Sequence, residues 1–169
     1  MKLNQDVKIS LGIALFTVLV FVGIIALARS NSAESEGLQA SNPSLLLANE
    51  VSFDFGTISM AKGKVSYAFK IKNPTTEPIT LTKIYTSCMC TTASLLNGSK
   101  KLGPFGMPGH GAVPRINSIL QPGEEADLEV VFDPAAHGPA GVGKIERAVY
   151  VESKSSVPLE FGFTAMVTP

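Results

Sequence analysis

The feature that most constrains this chain is a period of two in its apolar residues. Val65, Tyr67, Phe69 and Ile71 alternate with Ser66, Ala68, Lys70 and Lys72. Ala126, Leu128, Val130 and Phe132 alternate with Asp127, Glu129, Val131 and Asp133, and Leu159, Phe161, Phe163, Ala165 and Val167 repeat the pattern with Glu160 and Thr164 outward. Successive side chains of a strand leave opposite faces, so each run predicts a half-buried strand. Leu45, Leu47, Val51, Phe53 and Phe55 share one parity in a run that Gly56 closes, and residues 145–152 supply a further strand. Ile79 and Leu81 begin another, but Lys83 falls where a core residue is due and Ile84 is apolar instead, which predicts a bulge or register change. No window after Ala28 carries a helical period. The expectation is an all-β fold, an Ig-like antiparallel β-sandwich of about seven strands over residues 45–169.

What precedes the strands reads as delivery. Residues 11–28 are free of charge and would span about 27 Å as a helix, close to the thickness of a bilayer. Lys2 and Lys8 lie before the run and Arg29 behind it, which places the amino terminus in the cytoplasm and the rest outside. The expected organisation is a cytoplasmic terminus at 1–8 and a transmembrane anchor at 9–29. Residues 30–44 follow as a flexible linker, rich in Ser, Ala and Glu. A cleavable signal peptide ending at Ala26-Leu27-Ala28 competes with the anchor, although such apolar cores are usually shorter. Either route leads to the periplasm or the cell surface.

Lys and Arg total 14 against 14 Asp and Glu, and the basic residues are scattered, so no nucleic-acid partner is expected. The segment from Gly138 to Lys144 matches seven places of a phosphate-binding loop, but Ile145 stands where a hydroxyl must meet Mg²⁺ and a strand follows in place of a helix. No nucleotide site is expected either, and no residue set suggests a catalytic function.

The two cysteines, Cys88 and Cys90, stand in Thr86-Ser87-Cys88-Met89-Cys90-Thr91-Thr92. In a regular strand both would leave one face with Cα atoms about 6.6 Å apart, farther than a disulfide prefers. A bridge between them therefore requires local distortion and would be reducible, more switch than staple. Two same-face thiolates could instead hold one soft ion, copper(I) or zinc. Met107 and His110, in a long Gly/Pro-rich loop at 95–121, are candidate further ligands to such a metal, with Met89 a lesser one. The bland alternative is that both cysteines are small buried apolar groups and His110 is solvated. His137 is read as a loop residue that could join the site.

The landmarks Phe53-Asp54-Phe55-Gly56-Thr57-Ile58, Phe69-Lys70-Ile71-Lys72-Asn73, Ser87-Cys88-Met89-Cys90-Thr91-Thr92, Gln121-Pro122-Gly123-Glu124 and Val131-Phe132-Asp133-Pro134 occur in that order. Together they resemble the bacterial domain-of-unknown-function family 1573, similar in fold to Hydin-type and major-sperm-protein-type Ig-like domains. The resemblance covers residues 43–167. It implies an exported Ig-like sandwich with no established enzymatic activity. The family's usual Cys-Gly-Cys has Met89 at its centre here. The expected function is a membrane-tethered, non-enzymatic module that binds another envelope protein. The alternatives are a soft-metal binder using Cys88 and Cys90 and a thiol redox partner.

Overall fold

The computed structural model describes residues 44–110, 113–154 and 156–169. The anchor and most of the linker expected before them lie outside the described residues. Among the described residues no helix is long and apolar enough to cross a membrane.

Among the described residues ten strands form two five-stranded sheets. They are β1 (Leu47–Ala48), β2 (Ser52–Ser59), β3 (Val65–Lys72), β4 (Ile79–Thr86), β5 (Thr91–Asn97), β6 (Lys100–Phe105), β7 (Ser118–Leu120), β8 (Glu125–Phe132), β9 (Gly143–Ser153) and β10 (Leu159–Thr168). One sheet has the order β1-β3-β8-β5-β6 and the other β2-β10-β9-β4-β7. The alternating runs place their apolar sets between them: Phe69, Ile71, Leu128 and Val130 from one sheet, Val149, Val151, Phe161 and Phe163 from the other, all buried. Phe69 meets Phe161 with ring centroids 4.9 Å apart and Phe132 meets Phe163 at 5.4 Å, so these aromatic pairs bridge the sheets.

Three features differ from the sequence expectation. First, β2 runs parallel to β10, so one sheet is mixed. Second, the parity at the start is inverted: Leu46 is 5% exposed and Leu47 52%. The chain leaves one sheet after β1 and joins the other as β2, so a single parity cannot run through both. The β2 strand also continues past Gly56 to Ser59. The Gly56 N–H donates to the Asp54 carboxylate at 2.9 Å and φ there is +66°, and the register against β10 shifts at this point. That bulge turns Ile58 back toward the core after Phe53 and Phe55. Third, the segment expected as a loop over 95–121 holds the end of β5, all of β6 and β7. Charged Lys100 and Lys101 and the register shift at Gly103-Pro104 hide the alternation of β6. The shift expected near Lys83 is present: Leu81 pairs with Ser153 and Lys83 with Glu152, one residue of β4 being left over.

Candidate functional site

The cysteines lie in the corner where the chain passes from β4, in one sheet, to β5, in the other. Only Ser87, Cys88, Met89 and Cys90 span that crossing, so the backbone must turn sharply. Thr91 N–H donates to the Cys88 carbonyl at 3.2 Å and closes the turn. The buried Thr86 hydroxyl bonds the Cys88 carbonyl at 2.9 Å and the Thr91 carbonyl at 3.1 Å. Ser87 clips the corner to β9: its N–H donates to the Ala148 carbonyl at 2.9 Å and its hydroxyl accepts from Ala148 N–H at 2.8 Å. From the other sheet, Asp133 N–H donates to the Cys90 carbonyl at 2.9 Å. The premise of a regular strand at the cysteines therefore gives way to a turn, and their Cα atoms come to 5.3 Å. That separation lies within the range a disulfide takes, and Cys88 and Cys90 are disulfide-bonded.

The two sulfurs differ in surroundings. Cys90 is 3% exposed and packs into the core. Cys88 is half-buried, beside Met89, which is exposed at the tip of the turn. His137 brings Nε2 to 3.2 Å from Cys88 Sγ, and Arg147 points Nε at Cys90 Sγ from 3.4 Å. Thr91 Oγ1 lies 3.7 Å from the same Cys90 sulfur. The topology explains His137: Thr91 pairs with Phe132, so the chain leaving β8 passes the cysteine corner at once.

Met107 and His110 lie in the turn after β6, where His110 N–H donates to the Met107 carbonyl at 3.3 Å. Thr86 N–H donates to the Gly106 carbonyl at 3.1 Å, so that turn starts beside the corner. Among the described residues the cluster of ligating atoms is Cys88, Cys90 and His137, all within 4.8 Å of one another, and His110 is not part of it. Once the S–S bond were opened, two thiolates and one imidazole would suit a soft ion such as copper(I) or zinc.

Arg147 is the residue that sequence reasoning missed. It shares the parity of Ile145, Val149 and Val151, all buried, so strand periodicity alone places it facing inward. The segment from Gly138 to Gly141 is a short 3-10 turn and Lys144 stands on β9, so no helix follows the glycines as a phosphate site would need.

No curated protein matches the chain. A solved protein of unknown function from Porphyromonas gingivalis W83 is similar in fold at a TM-score of 0.51 and 15% identity, over 77% of this chain and 50% of that one. This chain thus spans about half the length of that structure. The ASH/PapD-like domain 7 of human CEP192 aligns at a TM-score of 0.46 and 11% identity, covering 75% of this chain and 87% of that one. The CooA pilin subunit from enterotoxigenic Escherichia coli aligns at 0.40 and 11%, covering 73% and 97%. His137 and Arg147 fall outside the segment that a family model covers, whereas both cysteines fall inside it. Residues 46–103 match the model described as "Protein of unknown function (DUF1573)", so this stretch carries the pattern of the family that its landmarks resemble.

Proposed function

We propose that the chain is an extracytoplasmic, membrane-tethered Ig-like module whose role is to bind another envelope protein, by binding rather than by turnover. The observation that carries this reading is the outer edge of β2. Three sheet edges are protected: β1 has two residues, β7 has three, and β6 carries Lys100, Lys101 and Pro104. By contrast β2 is eight residues long and pairs only with β10 among the described residues. A row of backbone N–H and C=O groups of that length can accept an extended segment by strand addition. Beside it lies a hollow lined by Asp54, Gly56, Thr57, Lys144 and Met166, where a side chain of that segment can seat. The uncharged run at 11–28 and the disulfide, a bond suited to oxidising compartments, both support an exported location.

The test is a photo-crosslinking residue placed in the full chain at Thr57, on the β2 edge, and separately at Ser66, on the interior strand β3. The reading expects one discrete envelope-protein adduct from Thr57 and none from Ser66. Equal labelling from both positions, or from neither, would contradict it.

A further inference from the structure

We infer that the Cys88–Cys90 disulfide exchanges with a dithiol of another protein, with Cys88 as the attacked sulfur and Cys90 as the leaving one. This goes beyond the binding role and does not depend on the β2 edge.

Three observations carry it. The first is that the bond does little to hold the corner. It spans a single residue, so its effect on chain entropy is small, and the turn is already fixed by hydrogen bonds from Thr86, Ser87, Thr91 and Asp133. The second is the asymmetry of access. Cys88 is half-buried next to exposed Met89 and exposed His137, whereas Cys90 is closed off in the core. An incoming thiolate can reach Cys88 and not Cys90. The third is Arg147. Arg147 is half-buried, on the inward parity of β9 between Ile145 and Val149, and its guanidinium is brought to the cysteine corner. Among the described residues it forms no ion pair; its Nη1 donates to the Glu146 carbonyl at 2.7 Å and its Nε meets Cys90 Sγ. The anion that its Nε is placed to meet is the thiolate that Cys90 becomes when the disulfide opens.

A thiolate of the partner attacks Cys88 Sγ, a new S–S bond forms to Cys88, and the electron pair of the old bond leaves on Cys90 Sγ beside Arg147. The partner's second thiolate then attacks its own sulfur in the mixed disulfide and expels Cys88 as a thiolate next to His137 Nε2. The two protons given up by the partner's thiols end on Cys88 and Cys90, and two electrons have passed to this chain. The partner leaves as a disulfide, and each encounter consumes one oxidised site. Exposed Met89 offers an apolar contact to the partner's backbone beside the attacked sulfur.

The test uses the full chain in detergent, with dithiothreitol as the dithiol. The rate at which the disulfide opens is followed in the wild type, Arg147→Gln and Arg147→Lys, with the urea midpoint measured alongside on the oxidised forms. Opening is expected to slow about tenfold in Arg147→Gln, with Arg147→Lys recovering part of the loss, because the leaving thiolate loses its cation. A merely structural arginine would move the midpoint and leave the rate unchanged, and that result overturns the inference. Independently, single-cysteine chains are challenged with oxidised glutathione, which needs no Arg147 variant. Cys88 in Cys90→Ser is expected to form the mixed disulfide at least about tenfold faster than Cys90 in Cys88→Ser. Equal rates, faster reaction at Cys90, or a wild-type chain isolated with a stoichiometric metal on two free thiols would each overturn it.

Discussion

The two ends of the sandwich make opposite uses of buried polar atoms. The β3–β8 pair runs from Val65 and Phe132, at the cysteine corner, to Lys72 and Glu125, beside Asn73. At the Asn73 end the buried polar atoms are spent on the backbone and on the neighbouring Thr75 hydroxyl. Asn73 is fully buried; its Nδ2 donates to the Glu77 and Leu120 carbonyls at 2.8 and 2.9 Å, and its Oδ1 accepts from Thr75 N–H and hydroxyl. Its own backbone exchanges bonds with Gly123 and Glu124. That arrangement fixes a loop and leaves no group free for chemistry. At the cysteine end the backbone is satisfied as well, the Cys90 N–H donating to Cys88 Sγ at 3.3 Å, yet a charged and an imidazole side chain also converge on the two sulfurs. Saturation marks a joint of the scaffold, and surplus polar contacts on reactive atoms mark a site.

Stability measurements distinguish the two ends. Replacing Asn73 by Ala removes, from a fully buried position, the amide bonds to the Leu120 and Glu77 carbonyls and to Thr75, and the account predicts a loss of about 3 kcal/mol in urea unfolding. Reducing the disulfide with a phosphine should cost less, under about 2 kcal/mol, because so short a ring restrains the unfolded chain little. A reduced chain that unfolds as readily as Asn73→Ala would make the cysteine pair a staple and erase the contrast.

The smallest effect concerns Asp54 at the β2 bulge. Its carboxylate accepts from Gly56 N–H and from Thr164, and these bonds hold its pKa below the ordinary carboxylate value. A depressed folded-state pKa gives stability that is present above the unfolded carboxyl's value and lost as pH falls through the folded one. The difference in melting temperature between wild type and Asp54→Asn should therefore be positive near neutrality and vanish in strong acid. A difference independent of pH would show that the charge on Asp54 is immaterial to the bulge.

Much of the fold was legible because a half-buried strand writes its burial directly into its alternation: Phe69 and Ile71, Leu128 and Val130, Phe161 and Phe163 all face inward as their parity requires. The misfit at Lys83 marked a register shift for the same reason, since a residue that breaks parity must be accommodated by the backbone. Alternation failed around the change of sheet between β1 and β2, and at the edge strand β6, which carries Lys100 and Lys101 and whose register against β5 shifts at Gly103-Pro104. The histidine beside the cysteines is not the nearer one in sequence. His110 is nearer to the cysteines in sequence, but proximity in sequence carries no information across sheets, and it is the pairing of Thr91 with Phe132 that brings His137 to Cys88. Arg147 left a readable trace, a charge on the inward parity of β9 between Ile145 and Val149.

The central claim is that the Cys88–Cys90 bond is made to be exchanged. A redox titration of the full chain against dithiothreitol buffers tests it most directly, with the oxidised fraction read by mass after alkylation. The account predicts half-reduction at a potential less negative than about −300 mV, above the range of structural disulfides. A bond that stays closed at potentials well below that value would contradict it.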